Sequence, residues 1–271
     1  MAVADLLAVF CNVAIGYLYG AIFRGYTHTI ACALQYTMAF ASLDCSVWLT
    51  VAFTFDRFVA ICCQDFKSWY CTVRTARVAI ATVYVVSLIR NIPYYFAFEP
   101  MWPGVPIDCT EKAEYYSQRG WIAFSWIHNI LTPLLPFFVI VSLNILTVRS
   151  IVVASRARRK LRAHVSGENQ GDPEMESRRK SIILLFCVSG SFILLWLTEL
   201  VTFIYSHFSN IHYYPSWNHP LYLTFVTGDL LKIVSSCTNT FIYVLTQSRF
   251  REELKNAIKY PFRIRLMIVP K

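Results

Sequence analysis

Asp5, Asp44, Glu199, Asp229 and Lys232 lie inside long apolar stretches of this sequence. An ionisable side chain at mid-bilayer costs about 2.5–3.5 kcal/mol on insertion scales. Groups that pay this cost face a wet interior or pair with one another. Asp229 and Lys232 are three residues apart and share a helix face. Glu199 and Trp196 share a face by the same spacing. A cavity lined by Asp44, Glu199, Asp229, Lys232 and aromatic neighbours would take a small charged or zwitterionic ligand. A Glu199–Lys232 salt bridge that only holds helices together explains the same residues equally well, and the two readings are compatible. Asp5, with Ser46, Ser236 and Asn239, could hold a sodium ion or ordered waters. Alone, a Ser or Asn in a span more often makes an interhelical hydrogen bond worth about 1 kcal/mol.

A second constellation is Asp56-Arg57-Phe58, which ends a long apolar run that has Cys32 near its start. At about 1.5 Å per residue, Cys32 and Arg57 stand roughly 37 Å apart along a helix. A bilayer with its headgroups is about 40–45 Å thick. One helix therefore carries Cys32 near one water face and the Asp56-Arg57 pair near the other.

The elements that position these residues are membrane-spanning helices. The chain has 271 residues, of which 56% are hydrophobic and 15% charged, and its mean hydropathy is +0.46. A soluble domain is closer to a quarter charged. Six stretches are long enough to span, at about 1–23, 29–62, 76–98, 121–150, 179–207 and 220–246. In lipid the backbone must satisfy its own hydrogen bonds, so these are helices. The expected fold class is all-α, a multi-pass membrane helix bundle, with residues 1–258 forming a single unit.

Loop charges orient the bundle. Lys67, Arg74 and Arg77 follow the second stretch, a cluster from Arg149 to Lys180 brackets the link after the fourth, and the tail carries Arg249 to Lys271. The opposite loops hold Arg24, Lys112 and Arg119. The positive-inside rule places the basic side in the cytoplasm. The net charge of +9 is therefore mostly topology and does not call for nucleic acid. Most of the nine cysteines lie inside spans and act as small apolar residues. Cys32 and Cys109 fall on the outer, oxidising side, where a bridge is permitted.

Residues 94–120 read as a long outer loop that Pro100, Pro103 and Pro106 keep from being helical. Residues 163–177 read as a disordered cytoplasmic link. About 248–258, Phe250, Leu254, Ala257 and Ile258 recur at helical spacing among Arg251, Lys255 and Lys259. That pattern fits an interfacial helix on an anionic leaflet, followed by a short basic tail, 259–271. No cleavable leader is expected at Met1. Phosphate loops, metal-binding His-Glu-x-x-His and nucleophile elbows do not occur, so no enzyme and no metal site is expected.

Together these landmarks resemble the rhodopsin-like (class A) G-protein-coupled receptors. Ala2-Val3-Ala4-Asp5 resembles the end of the family's second helix, and Asp56-Arg57-Phe58 its Asp-Arg-Tyr switch. Phe192 and Trp196 resemble the sixth-helix Phe and toggle Trp, and Pro136 the fifth-helix Pro. Asn239 to Tyr243 resembles Asn-Pro-x-x-Tyr, and Phe250-Arg251 opens the eighth helix. Finer detail, in Ser46 to Val51 and Ile92 to Tyr95, looks like the orphan receptor 139/142 group and neighbouring peptide or amine receptors. The resemblance implies a Cys32–Cys109 disulfide and a plasma-membrane receptor with a cytoplasmic C-terminus. It also implies signalling from an extracellular small molecule or peptide to a heterotrimeric G protein.

The chain departs from that pattern in several places. The family's first helix is missing, so six spans are expected instead of seven. Phe58, Thr198 and Thr240 replace a Tyr and two Pro. Lys232 stands seven residues before Asn239, whereas the opsin lysine stands six before its Asn, and one residue turns a side chain by about 100°. An opsin is therefore not expected. The alternative functions are a truncated, non-signalling receptor fragment and a small channel or transporter.

Overall fold

A computed structural model describes residues 2–19, 29–100, 109–164, 173–209, 220–246, 251–253 and 255–256. The first helix, α1 (Ala2–Val9), widens into π-helical geometry over Phe10–Tyr19. The long α2 (Thr29–Cys62) follows, then the short α3 (Gln64–Tyr70) and α4 (Val73–Asn91). A helical turn α5 (Tyr94–Ala97) leads into an antiparallel ribbon of β1 (Phe98–Pro100) and β2 (Cys109–Glu111). Beyond it come α6 (Ala113–Ser117), α7 (Arg119–Asn129), a π-helical segment Ile130–Leu134 and α8 (Leu135–His164). Two long helices complete the described bundle, α9 (Pro173–Phe208) and α10 (Pro220–Thr246). Among the described residues, four apolar segments are long and hydrophobic enough to cross a membrane: Ala33–Cys62, Val73–Ala97, Arg119–Ala157 and Ile182–Phe208.

The core sits around α2, which touches nearly every other element. Leu43, Val47 and Val51 of α2 pack with Ala8, Ile140, Phe192 and Trp196 from α1, α8 and α9. The Phe192 ring meets Phe137 edge-on at 5.3 Å and lies tilted against Trp196 at 5.8 Å. Edge-on aromatic pairs of this kind contribute about 0.5–1.5 kcal/mol beyond the area they bury. The opposite faces of the outer helices are exposed and apolar, as at Val85, Ile89, Phe138, Ile145, Leu194 and Leu197. In a spanning helix such a face is the lipid-facing one.

Local sequence explains the boundaries. Thr72 caps α4, its hydroxyl accepting from the Thr75 amide at 3.2 Å. Both α9 and α10 begin at a proline, where a missing N–H costs nothing. The break before α8 falls at Thr132, whose backbone is extended at φ −150°, ψ 101° because Pro133 follows it. Pro136, the expected fifth-helix proline, is buried in the first turn of α8, just beyond that break.

Two expected loops carry regular structure. The outer segment 94–120 holds the ribbon, with Pro100 at its end opposite Cys109, a place where a missing donor is tolerated. Tyr36 stacks on Phe98 at 4.2 Å and seats the ribbon on α2. Of the expected link 163–177, the described ends are helical, since α8 runs to His164 and α9 starts at Pro173. Pro173 suits the first helical position, and Glu174 and Glu176 suit the positive end of the helix dipole.

Candidate functional site

Lys232 of α10 is buried, and its Nζ lies 2.7 Å from Asp229 Oδ1 and 3.0 Å from Glu199 Oε1. The i,i+3 spacing on α10 places Asp229 and Lys232 on one face, and α9 brings Glu199 across to them. Gly228 permits that approach: a Cβ there would stand 2.9 Å from Glu199 Oε2 and 3.4 Å from its Cα. The triad has two carboxylates for one ammonium. Glu199 Oε2 is buried and accepts no hydrogen bond. Both the salt bridge and a ligand-facing group read from sequence are compatible with this geometry, because Asp229 is 44% exposed while Lys232 is not.

Glu111 of β2 stands near this triad and receives the Tyr116 hydroxyl. Burial pushes its carboxyl up to about 7, and the charge of Asp229 adds to the shift.

Asp44 has its own set of partners. Its Oδ2 accepts from Arg90 Nε at 3.0 Å and from Asn91 Nδ2 at 2.5 Å, and Arg90 also pairs with it through its terminal nitrogen. Arg90 reaches on to the Thr132 hydroxyl at the helix break. His128 sits among Phe40, Tyr94 and Phe124 and feels the charges of Asp44, Arg90 and Lys232. Asp44 is therefore tied into a network across α2, α4 and the break before α8, and no hydrogen bond or ion pair joins it to Lys232.

Ser46 donates to Asp5 Oδ1 at 2.5 Å, and Asn239 of α10 is buried close to the same carboxylate. This brings α1, α2 and α10 together. Ser236 is buried one turn before Asn239. Asp5 Oδ2 is buried and unpaired. The oxygens of Asp5, Ser46 and Asn239 are ligands of the kind a small hard cation takes.

At the far end of α2, Arg57 pairs with Asp56 at 3.0 Å and lies over the Phe53 ring at 5.2 Å. Both members are about one-third exposed. Phe58 faces Phe55 at 6.4 Å. Phe192 and Trp196 belong to the central core. Cys32 lies on α2 and Cys109 opens β2, which packs against α2. The side chains of Cys32, Cys109 and Tyr243 fall outside the described residues, as does Phe250. Residues 251–253 are helical, and Arg251 donates to the carbonyls of Val244 and Leu245, both at 3.0 Å.

Sequence reasoning missed Arg90, Asn91, His128, Glu111 and Gly228. Arg90 was discoverable: a guanidinium in an apolar helix needs a carboxylate, and Asp44 was already known to need a cation. Glu111 and Gly228 gain their roles only from the fold around them.

A sequence model of the 7 transmembrane receptor (rhodopsin family) matches residues 1–243. Neuropeptide receptor 22 of Caenorhabditis elegans is 26% identical over 270 residues, covering 93% of this chain and 58% of its own length. Probable G-protein coupled receptor 142 of Mus musculus is 25% identical, over 94% of this chain and 62% of its own. Galanin receptor 2a of Danio rerio is 22% identical, over 87% of this chain and 60% of its own. The chain thus spans about three-fifths of the length of the curated relatives it matches.

The Glu111 environment sets a pH dependence. Its folded value stands above the ordinary 4.5, so the folded chain holds the proton more tightly than the unfolded one. The resulting stability is fully present below about 4.5 and is lost as pH rises through about 7. Thermal midpoints of the wild type are expected to fall between about pH 5 and 7.5 more steeply than those of Glu111→Gln, which keeps the Tyr116 bond. Parallel pH profiles would contradict this.

Proposed function

The chain belongs to the rhodopsin family of 7 transmembrane receptors, and on that premise we propose that it carries an extracellular small-molecule or peptide signal to a heterotrimeric G protein. The family consists of receptors and not enzymes, set as multi-pass proteins in the plasma membrane. The observation that carries the reading is the Lys232–Glu199–Asp229 triad, with Lys232 buried and Asp229 part-exposed, one helical turn outward from Trp196. One charge in excess, with Glu199 Oε2 lacking a donor, favours a ligand that brings an amine or guanidinium to this place. The similarity to a neuropeptide receptor supports a peptide as its source.

The ligand acts by binding one packing of the bundle more tightly than the other. In the resting packing Asp56 holds Arg57. Release of Arg57 and outward movement of α9 near Arg178–Lys180 open a groove for a G-protein helix, with Asn239 and Tyr243 supporting the open state. The basic loops and tail support a cytoplasmic position for this end and for the C-terminus.

Arg57→Ala in the full-length gene is expected to lower ligand-driven nucleotide exchange at least about tenfold. Unchanged exchange would sink the switch. Glu199→Lys and Lys232→Glu should each lose the ligand response, and if both single variants keep it, the triad is not the pocket.

Asp5, Ser46, Ser236 and Asn239 hold a sodium ion in the resting packing. Sodium should raise the thermal midpoint of purified receptor relative to equimolar choline, and Asp5→Asn should lose that rise. An equal rise in the variant would remove the ion from this site.

A further inference from the structure

Asn144 of α8 donates through Nδ2 to Ser189 Oγ of α9 at 2.8 Å. Ser189 uses its own hydroxyl hydrogen on the Leu185 carbonyl, so its role towards Asn144 is fixed as acceptor. Ser189 is fully buried and Asn144 nearly so. Around them stand Ile140, Leu143, Leu184, Leu185 and Val188, all buried and apolar. The neighbouring Thr147 hydroxyl turns back to the Leu143 carbonyl and bonds nothing across the interface.

The bond lies in the half of the bundle that carries Arg57. Ser189 precedes Trp196 by two helical turns on the side leading to Arg178–Lys180, and Asn144 precedes Arg149 on α8. The interface it crosses is light. α9 packs far more extensively on α10 than on α8, and the lower parts of both helices turn apolar side chains outward, including Ile145, Leu146, Ile183 and Phe186. A single buried hydrogen bond is then a large share of what holds α8 and α9 together here. The amide is also only half used, since Asn144 Oδ1 is buried without a donor. Apolar residues of the same shape would pack at no such cost.

We propose that Asn144 and Ser189 form a latch that holds the inner parts of α8 and α9 together in the resting bundle and sets how often the bundle opens without ligand. This rests on the receptor reading above. The two residues are positioning residues, since neither touches the ligand site. Loss of one buried neutral bond shifts a two-state population by about fivefold.

Two readouts test it. The first is ligand-free G-protein activation in cells at matched surface level. Ser189→Ala and Asn144→Leu should each raise it about fivefold, and the double variant should add nothing, because both remove the same bond. Ser189→Thr, which keeps the hydroxyl, should return it to the wild-type level. Unchanged or lower basal activity in Ser189→Ala overturns the latch wherever the wild type signals. The second readout needs no G protein. Spin labels on cysteines replacing the exposed Val152 and Ile183, with the exposed Cys71 and Cys187 changed to Ser, report the α8–α9 separation in purified protein. Ser189→Ala should add a longer-distance population, and an unchanged distance distribution overturns the latch. Widening in a chain that activates no G protein would keep the latch and discard the coupling.

Discussion

Ionisable and amide groups that cannot reach water must find each other, and that requirement fixes which helices of this bundle are neighbours. Asp5 draws α1 to α2 through Ser46 and stands close to Asn239 of α10. Asp44 draws α2 to α4 through Arg90 and Asn91, and Arg90 passes the tie on to the break at Thr132. Lys232 joins α10 to α9 through Glu199, and Asn144 joins α8 to α9 through Ser189. The apolar core around Leu43, Val47 and Trp196 supplies contact area. Between helices in lipid such area discriminates weakly, because lipid tails are as apolar as leucine. The polar ties give each interface one partner and one register.

The same ties differ in how they are satisfied. Asp44 Oδ2 gathers three donor contacts, while its Oδ1 is buried without a partner. The Lys232 triad carries an excess carboxylate and an unpaired oxygen, so it has capacity for something more. Arg57 is partly exposed and held by its sequence neighbour Asp56, a pairing that costs little to break. Asp44–Arg90 is thus a buried pair with several donors, whereas Asp56–Arg57 is a partly exposed one.

The all-α membrane bundle was legible from hydropathy alone, because a spanning helix must be apolar for its whole length. Family membership was legible from Asp56-Arg57-Phe58 and Trp196 at their spacing. The pairing of Asp44 with Arg90 was not. Sequence shows that a carboxylate in a span needs a partner, but which partner depends on helix order around the bundle. The helical starts at Pro173 and Tyr94 were hidden for another reason: proline ends helices and also begins them, and composition does not separate the two. Glu111 reads as one more solvated loop acid until the ribbon seats it near Asp229.

Whether buried charge pairing specifies this bundle is tested most directly by a double-mutant cycle on Asp44 and Arg90, read as the thermal stability of purified protein. Removing one partner strands the other in an apolar interior, so Asp44→Asn and Arg90→Met alone should each be strongly destabilising, by about 3–5 kcal/mol. Together they strand nothing, and the double variant should recover most of that loss, a large favourable coupling. A double variant no more stable than the sum of the two single losses would contradict the pairing as the organising constraint.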